Sequence, residues 1–373
     1  MIYLDNAATT FPKPREVVEA VQRCIEKCGG NPGRGVHPLA LAAADLVYSC
    51  RETLCDFFGA PAPERVLFTQ NTTYALNLAL KGLLRQGDHV LISELEHNAT
   101  RRPLCRLASE RAVTYDSFPV VGLTEDGILA AIRGKLRPDT RAVVCTHTSN
   151  VCSVSLPIAA IGALCHQHGL YFIVDAAQSA GVYPIHLSEM HIDALAIPGH
   201  KALYGIQGCG ALLLNERIIL DTLIEGGSGI HSLAEEMPAD PPERYEAGTL
   251  PTPAIAGLEA GIRSLKGEMD AIALREAHLF SALRERLESL GGYHVYAPLH
   301  AGSTLLFNHN KLNATAIGQY LAEKGICVRT GLHCAPMAHR ALHTPESGAV
   351  RVSFGRYNTL SDVDALWQAL KLR

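Results

Sequence analysis

The sequence has no uninterrupted apolar run of about 18 residues, the length that a membrane-crossing helix requires. No block of lysines and arginines marks it for an anionic membrane surface. The formal net charge of −4 likewise leaves no basic footprint for nucleic acid. The opening residues, Met1-Ile2-Tyr3-Leu4-Asp5, contain no basic segment followed by an apolar one. A secretory signal is therefore not expected, and the expected location is cytoplasmic. There is no Cys-x-x-Cys pair, which excludes a zinc ribbon. His333, Cys334, His339 and His343 crowd together in sequence, but at spacings that fit no metal-ligand pattern, so no metal is expected there. Internal repeats and low-complexity tracts are also missing.

Cysteine is not scarce, but its pattern is informative. Eleven cysteines is an odd count at irregular spacings. A disulfide framework favours short secreted chains with an even count. Reduced thiols, mostly buried as small apolar residues, are the better reading. Cys24, Cys28, Cys50 and Cys55 lie at helical spacings and read as filler of this kind.

The chain has 373 residues, 47% hydrophobic and 19% charged, the profile of a compact fold. That length predicts two domains, or one large domain with an appendage. Strands are predicted at 65–69, 88–93, 141–146 and 170–175, with helices at about 72–84 and 157–168 between them. Leu170-Tyr171-Phe172-Ile173-Val174-Asp175 is a near-continuous apolar run ending on a carboxylate. Such runs suit strands buried on both faces of a mainly parallel sheet. The alternation argues for an α/β fold, whose functional residues collect at the carboxyl ends of its strands. Beyond about Pro253 the pattern changes. Helices at 253–267, 269–290, 313–324 and 360–371 mix with strands at 303–308, 326–329 and 349–354, which reads as a smaller α+β domain.

Gly199-His200-Lys201 follows the apolar stretch Ala194–Ile197. Alone, Lys201 reads as a solvated loop residue. A lysine that forms a Schiff base must instead be partly desolvated, so that its amine is neutral and nucleophilic. Asp175-Ala176-Ala177-Gln178 lies about 26 residues upstream. A lone Asp175 reads as a helix cap before Ala176 and Ala177. Paired in this order with Lys201, it reads as the partner of a pyridinium nitrogen, which makes the ring an electron sink. Thr69-Gln70-Asn71-Thr72-Thr73 ends a strand and opens a helix, where hydroxyls and free N–H groups suit a phosphate. Simple N-capping by Asn71 or Thr72 is compatible with that. Gly226-Gly227-Ser228-Gly229 is a second loop with available N–H groups, though by itself an ordinary turn.

Taken in order over nearly the whole chain, these segments resemble one family. They are Tyr3–Ala8, Thr72-Thr73, Glu96-His97-Asn98, Thr148–Val151, Asp175–Gln178, Gly199–Lys201, Arg244–Thr249, Arg329–Ala335 and Arg351. The chain resembles the fold-type I, pyridoxal-phosphate (PLP)-dependent class V aminotransferases, and within them the cysteine desulfurase and selenocysteine lyase group. The resemblance implies a large domain over 15–255 with a mainly parallel, seven-stranded type of sheet. It also implies a small domain, 1–14 with 256–373, that carries the catalytic cysteine loop.

The resemblance implies that Lys201 holds the cofactor as a Schiff base and later moves protons. His97 would stack on the ring and act as acid or base. Asp175 would pair with the ring nitrogen, and Gln178 with its phenolic oxygen. Thr72, Thr73 and His200 would contact the phosphate. Ser228, in the Gly226–Gly229 loop, would reach the phosphate of the partner subunit in a homodimer. Asn150 and Arg351 would hold the substrate carboxylate, a task suited to the planar fork of arginine.

Cys334 is the discriminating residue. Gly331 and Pro336 frame its loop, and two basic neighbours in the motif, Arg329 and His333, would lower its thiol pKa. The activity implied is removal of sulfur from L-cysteine, or selenium from selenocysteine, giving alanine and a persulfide on Cys334 that passes to an acceptor protein or a reductant. A different PLP-dependent C–S lyase or an aminotransferase on the same fold is the alternative. Two departures from the family pattern stand out. Pro198 precedes Gly199 where a small hydroxyl residue is common. Leu332 stands where a second histidine is common in the group whose catalytic loop is short, as the Cys334-to-Arg351 segment is here.

Overall fold

The computed structural model describes residues 1–33, 35–296 and 302–371. In chain order the elements are β1 (Ile2–Tyr3), α1 (Arg15–Lys27), α2 (Pro38–Phe58), β2 (Val66–Thr69), α3 (Thr72–Leu83), β3 (His89–Ser93), α4 (Asn98–Arg111), β4 (Thr114–Phe118), α5 (Glu125–Arg133) and β5 (Thr140–Thr146). They continue as α6 (Ile158–Gln167), β6 (Tyr171–Asp175), β7 (Ala194–Pro198), β8 (Gly210–Leu214), α7 (Thr252–Arg263), α8 (Met269–Glu288), β9 (Tyr293–Val295) and β10 (Thr304–His309). The last are α9 (Ala314–Glu323), β11 (Ile326–Cys327), β12 (Arg329–Gly331), α10 (Pro336–Ala341), β13 (Ala349–Ser353) and α11 (Leu360–Lys371).

The expected seven-stranded sheet is present, ordered β2-β8-β7-β6-β5-β3-β4. All its neighbours run parallel except β8, which is antiparallel to both β7 and β2. The apolar runs explain why the sheet is covered on both faces. Along β5 to β7, Val143, Cys145, Phe172, Val174, Leu195 and Ile197 point into one core. Their alternates Ala142, Val144, Ile173, Ala194 and Ala196 point into the other. Burying each large side chain contributes about 1.5–3 kcal/mol, and the period of two distributes that between the layers. Gly261 lets α7 pass directly behind the site, since a Cβ there would lie 2.1 Å from the carbonyl of Leu203.

A separate core gathers Leu4, Leu283, Leu305, Phe307, Ile317, Val350, Val352 and Leu366 around the antiparallel sheet β12-β13-β10-β9. The single strand expected at 326–329 is two. β11 pairs in parallel with β1, whereas β12 pairs with β13 in the four-stranded sheet. The chain changes sheets at Val328, which points Arg329 and the Cys334 loop toward the large sheet. No helix among the described residues is long and apolar enough to cross a membrane.

Candidate active site

Three neighbouring strand ends build the floor. β5 ends on Thr146, β6 on Asp175 and β7 on Pro198, and all three line one cavity of about 100 Å³. The same cavity is lined by Thr72, Thr73, His97, Asn150, Gln178, His200 and Lys201. Eight of the expected site residues are thus brought together by chain topology, from segments up to 129 positions apart.

Asp175 is buried, and burial raises its carboxyl pKa, opposed by a hydrogen bond from Ala177 N at 2.9 Å and by Lys201. It does not open the helix that Ala176 and Ala177 suggested. Residues 177–179 form a turn, and Asp175 closes a short loop on itself. Lys201 is partly buried. Desolvation is the leading cause that lowers its amine to about 8, against the opposing pull of Asp175. Its backbone is fixed by the N-terminal segment. Thr10 Oγ1 donates to the Lys201 carbonyl at 2.9 Å, and Lys13 Nζ and Thr9 Oγ1 donate to that of His200 at 2.7 and 3.0 Å.

His97 caps α4 with its ring. Nδ1 accepts from Ala99 N at 3.0 Å, which leaves the ring proton on Nε2. Burial, then the charges of Lys201, Arg329 and Arg102, lower its pKa to about 4, so the ring is neutral. The preceding Glu96 is fully buried. Its Oε1 accepts from Thr146 N at 2.7 Å and Ser93 Oγ at 2.5 Å, tying the ends of β3 and β5 together beneath the site. Burial pushes its carboxyl up to about 7.

Arg351 is almost fully buried on β13. Nη2 lies 2.7 Å from Asp5 Oδ1, and Nη1 donates to the Asn150 carbonyl at 3.1 Å. Asn150 Nδ2 donates in turn to the His333 carbonyl at 2.8 Å. Gln178 Nε2 donates to the Ala7 carbonyl at 3.0 Å. Sequence reasoning assigned no role to Asp5 or Glu96, although both lie inside the quoted motifs. Their partners are 346 and 50 residues away, which local pattern does not carry.

Cys334 is exposed at the mouth. Its carbonyl accepts from Asn98 N at 2.7 Å, which fastens the loop to the start of α4, beside His97. His333 and Cys334 both adopt left-handed backbone, φ 51° and 58°, a conformation that costs energy in residues with a Cβ. Of the two basic neighbours expected, Arg329 approaches, with Nη2 4.0 Å from Sγ. His333 does not serve. Its ring is buried and neutral, its pKa lowered by burial and then by Arg351, and Nδ1 lies 3.0 Å from His339 Nε2. An outer cavity of about 300 Å³ contains Cys334 and shares Thr73, His97 and Ala99 with the inner one. Ser228 is not in either. It lines a different cavity, beside Asn31, Tyr48 and Arg51, and its hydroxyl donates to the Ile230 carbonyl at 3.4 Å. Pro198 pairs with Gly210 across the antiparallel β7–β8 ladder, and Gly199 N donates to the Cys209 carbonyl at 2.9 Å. The backbone around the proline is therefore anchored by the residue after it.

Buried polar atoms without partners show what the inner cavity suits. Thr72 Oγ1, at the N-terminus of the twelve-residue helix α3, and Nδ1 of His200 are both buried and unpaired. An unpaired buried polar group costs about 1–3 kcal/mol, so such atoms favour a ligand that pairs them. A phosphate at a helix N-terminus does so. A carboxylate and a desolvated lysine across the same cavity suit the ring and aldehyde of PLP.

A sheet of this topology, with a desolvated lysine and a buried aspartate at its strand ends, belongs to a recognisable enzyme class. The chain belongs to the class-V aminotransferase family, whose model matches residues 2–366. That family and the cysteine desulfurases within it are PLP-dependent. A probable cysteine desulfurase of Methanothermobacter thermautotrophicus is 33% identical over 386 residues, covering 99% of this chain and 94% of the relative. A cysteine desulfurase of Escherichia coli is 31% identical over 383 residues, covering 100% and 93%. Among solved structures, the apo cysteine desulfurase of Thermococcus onnurineus superposes with a TM-score of 0.90 at 31% identity, covering 100% of this chain and 94% of the other.

Proposed function

We propose that this protein is a PLP-dependent cysteine desulfurase that converts L-cysteine to L-alanine and holds the sulfur as a persulfide on Cys334. One observation carries the reading. The cavity that holds Lys201 and Asp175 opens, across Thr73 and His97, onto a second cavity that holds an exposed cysteine. A C–S lyase or an aminotransferase has no use for that thiol. Selenocysteine is the allied substrate of the same site.

Lys201 would hold the cofactor, Asp175 its ring nitrogen and Gln178 its phenolic oxygen. Thr72, Thr73 and His200 would take the phosphate. When bound, PLP supplies an electron sink for the carbanion left by loss of the substrate α-proton. The protein residues do the rest. Lys201 Nζ, neutral near its pKa of about 8, takes the α-proton and returns a proton later. His97 would face the cofactor as a neutral donor through Nε2–H. Arg351 orients the substrate through its carboxylate, with Asn150 beside it. The Cys334 thiolate would attack the substrate sulfur; the Sγ–S bond forms as the substrate Cβ–S bond breaks, the electron pair of that bond stays on the substrate carbon side, and protons added at Cβ and Cα give alanine, which leaves. Arg329 Nη2 lies 4.0 Å from the Cys334 sulfur.

We assign the large domain to 15–255, and the small domain with the cysteine loop to 1–14 and 256–373. A homodimer, in which Ser228 reaches the partner's phosphate, fits its distance from the site in its own chain. The cytoplasm, where thiols stay reduced, suits the 11 free cysteines. Sulfur would leave to an acceptor at the exposed Cys334. The test is conversion of L-cysteine to alanine by the PLP-loaded protein.

A further inference from the structure

The outer cavity around Cys334 has a charge unlike that of the chain as a whole. The chain carries a formal net charge of −4, yet the cavity is lined by Lys81, Arg102 and Arg106 and by no carboxylate. Arg106 is committed to Glu110, one turn along α4. Lys81 and Arg102 have no ion-pair partner among the described residues, and they flank the space in front of the thiol from α3 and α4. Arg329 adds a fourth cation near the thiol, with Nη2 4.0 Å from Sγ. Asn77 and Asn98 complete the polar lining.

Cations left unpaired around a recess focus the field on it and raise the local concentration of anions. On the proposed reading the substrate carboxylate does not need these residues, because Asn150 lines the inner cavity and Arg351 donates to its carbonyl at 3.1 Å. What occupies the outer cavity is whatever approaches Cys334 from outside after sulfur has been loaded. Its volume of about 300 Å³ admits a small molecule.

We propose that this cavity is an acceptor subsite selective for small anionic thiols, those carrying one or two carboxylates, which draw the sulfane sulfur from Cys334. This rests on the desulfurase reading and adds to it the class of acceptor. In the step, the acceptor thiolate attacks the outer sulfur of the persulfide. A new S–S bond forms on the acceptor, the Cys334 Sγ–S bond breaks, and Cys334 leaves as a thiolate. The proton released by the acceptor thiol returns to Cys334. The sulfane sulfur moves between two thiols with no net oxidation, so no further reactant is required. Lys81 and Arg102 pair the carboxylates and hold the thiol in line.

The experiment loads the PLP-bound full-length protein with L-cysteine, removes the excess, and follows discharge of the persulfide by three thiols. These are mercaptoethanol, which is neutral, 3-mercaptopropionate, with one carboxylate, and mercaptosuccinate, with two. Rates are compared per unit of thiolate. The expected order is dianion, monoanion, neutral, with the dianion about tenfold or more faster than the neutral thiol at low salt. That advantage shrinks as ionic strength rises. In the Lys81→Ala, Arg102→Ala double variant, the dianion-to-neutral ratio falls toward one. The ratio is internal to each protein, so a general loss of activity does not imitate it. Alanine release on loading, followed by rates that ignore acceptor charge, would overturn the acceptor subsite alone. Absence of alanine on loading would overturn the desulfurase reading and the subsite with it.

Discussion

The Asp5 carboxylate lies 2.7 Å from Nη2 of Arg351, an ion pair between the first strand region of the chain and the last strand of the small sheet. The Arg351 side chain is 1% exposed, so its charge depends on that partner. Asp5→Ala leaves a buried guanidinium unpaired and is expected to cost about 3 kcal/mol, read by urea unfolding. Arg351→Lys keeps the charge and loses the planar fork. KM for cysteine is then expected to rise about tenfold, with a smaller change in kcat. Unaltered stability in the first variant, or an unaltered KM in the second, contradicts this assignment.

As the proposed cofactor lysine, Lys201 would react with the aldehyde only as the neutral amine. Its pKa of about 8 lies below the ordinary lysine value of 10.5, chiefly through desolvation. Raising pH removes its proton, so the rate of cofactor loading onto apoprotein is expected to rise with pH and level off above about 8. Asp175 raises the lysine pKa, so Asp175→Asn is expected to move the midpoint lower. A midpoint near 10.5 would contradict the desolvated site. Stopped-flow absorbance reads both.

Glu96 titrates in the opposite sense to a surface carboxylate. Its folded pKa is about 7 against an ordinary value of 4.5, because burial disfavours the charged form. Between those values the folded protein binds more protons than the unfolded chain. Stability should therefore fall as pH rises from about 4.5 to 7, by on the order of 2–3 kcal/mol from this residue. In Glu96→Gln that component is expected to vanish, measured by denaturant unfolding across the range. An unchanged slope would show that Glu96 is charged in the fold.

His97 has two separable jobs. As a cap of α4 it accepts one backbone hydrogen bond, and asparagine replaces that function at little cost. In its proposed role against the cofactor ring it has no asparagine substitute. His97→Asn is expected to keep its melting temperature within a few degrees while kcat falls about 100-fold or more. Parallel loss of both would make His97 a structural cap alone.

The sheet was legible because strands buried on both faces must be apolar through their middles, as Tyr171–Asp175 and Ala194–Pro198 are. Asp175 was legible because it ends such a run, and Lys201 because it follows one within three residues. What sequence pattern misjudged lies where tertiary contacts decide. Val328 moves the chain from one sheet to another, which no local period announces. His333 reads as a base beside Cys334, but folding turns its ring into the core against His339. The grip of Asp5 on Arg351 and of Glu96 on Thr146 joins residues distant in sequence. Lys81 and Arg102 read as ordinary helix-surface cations until the fold sets both in front of one thiol.

The most direct measurement is alanine production from L-cysteine by the PLP-loaded protein in the presence of a reductant, for the wild type and Cys334→Ala. Alanine from the wild type, with loss of at least about 100-fold in the variant, is the predicted result. Pyruvate in place of alanine, or a rate that does not depend on Cys334, would contradict sulfur transfer through this cysteine and assign the site to another PLP reaction.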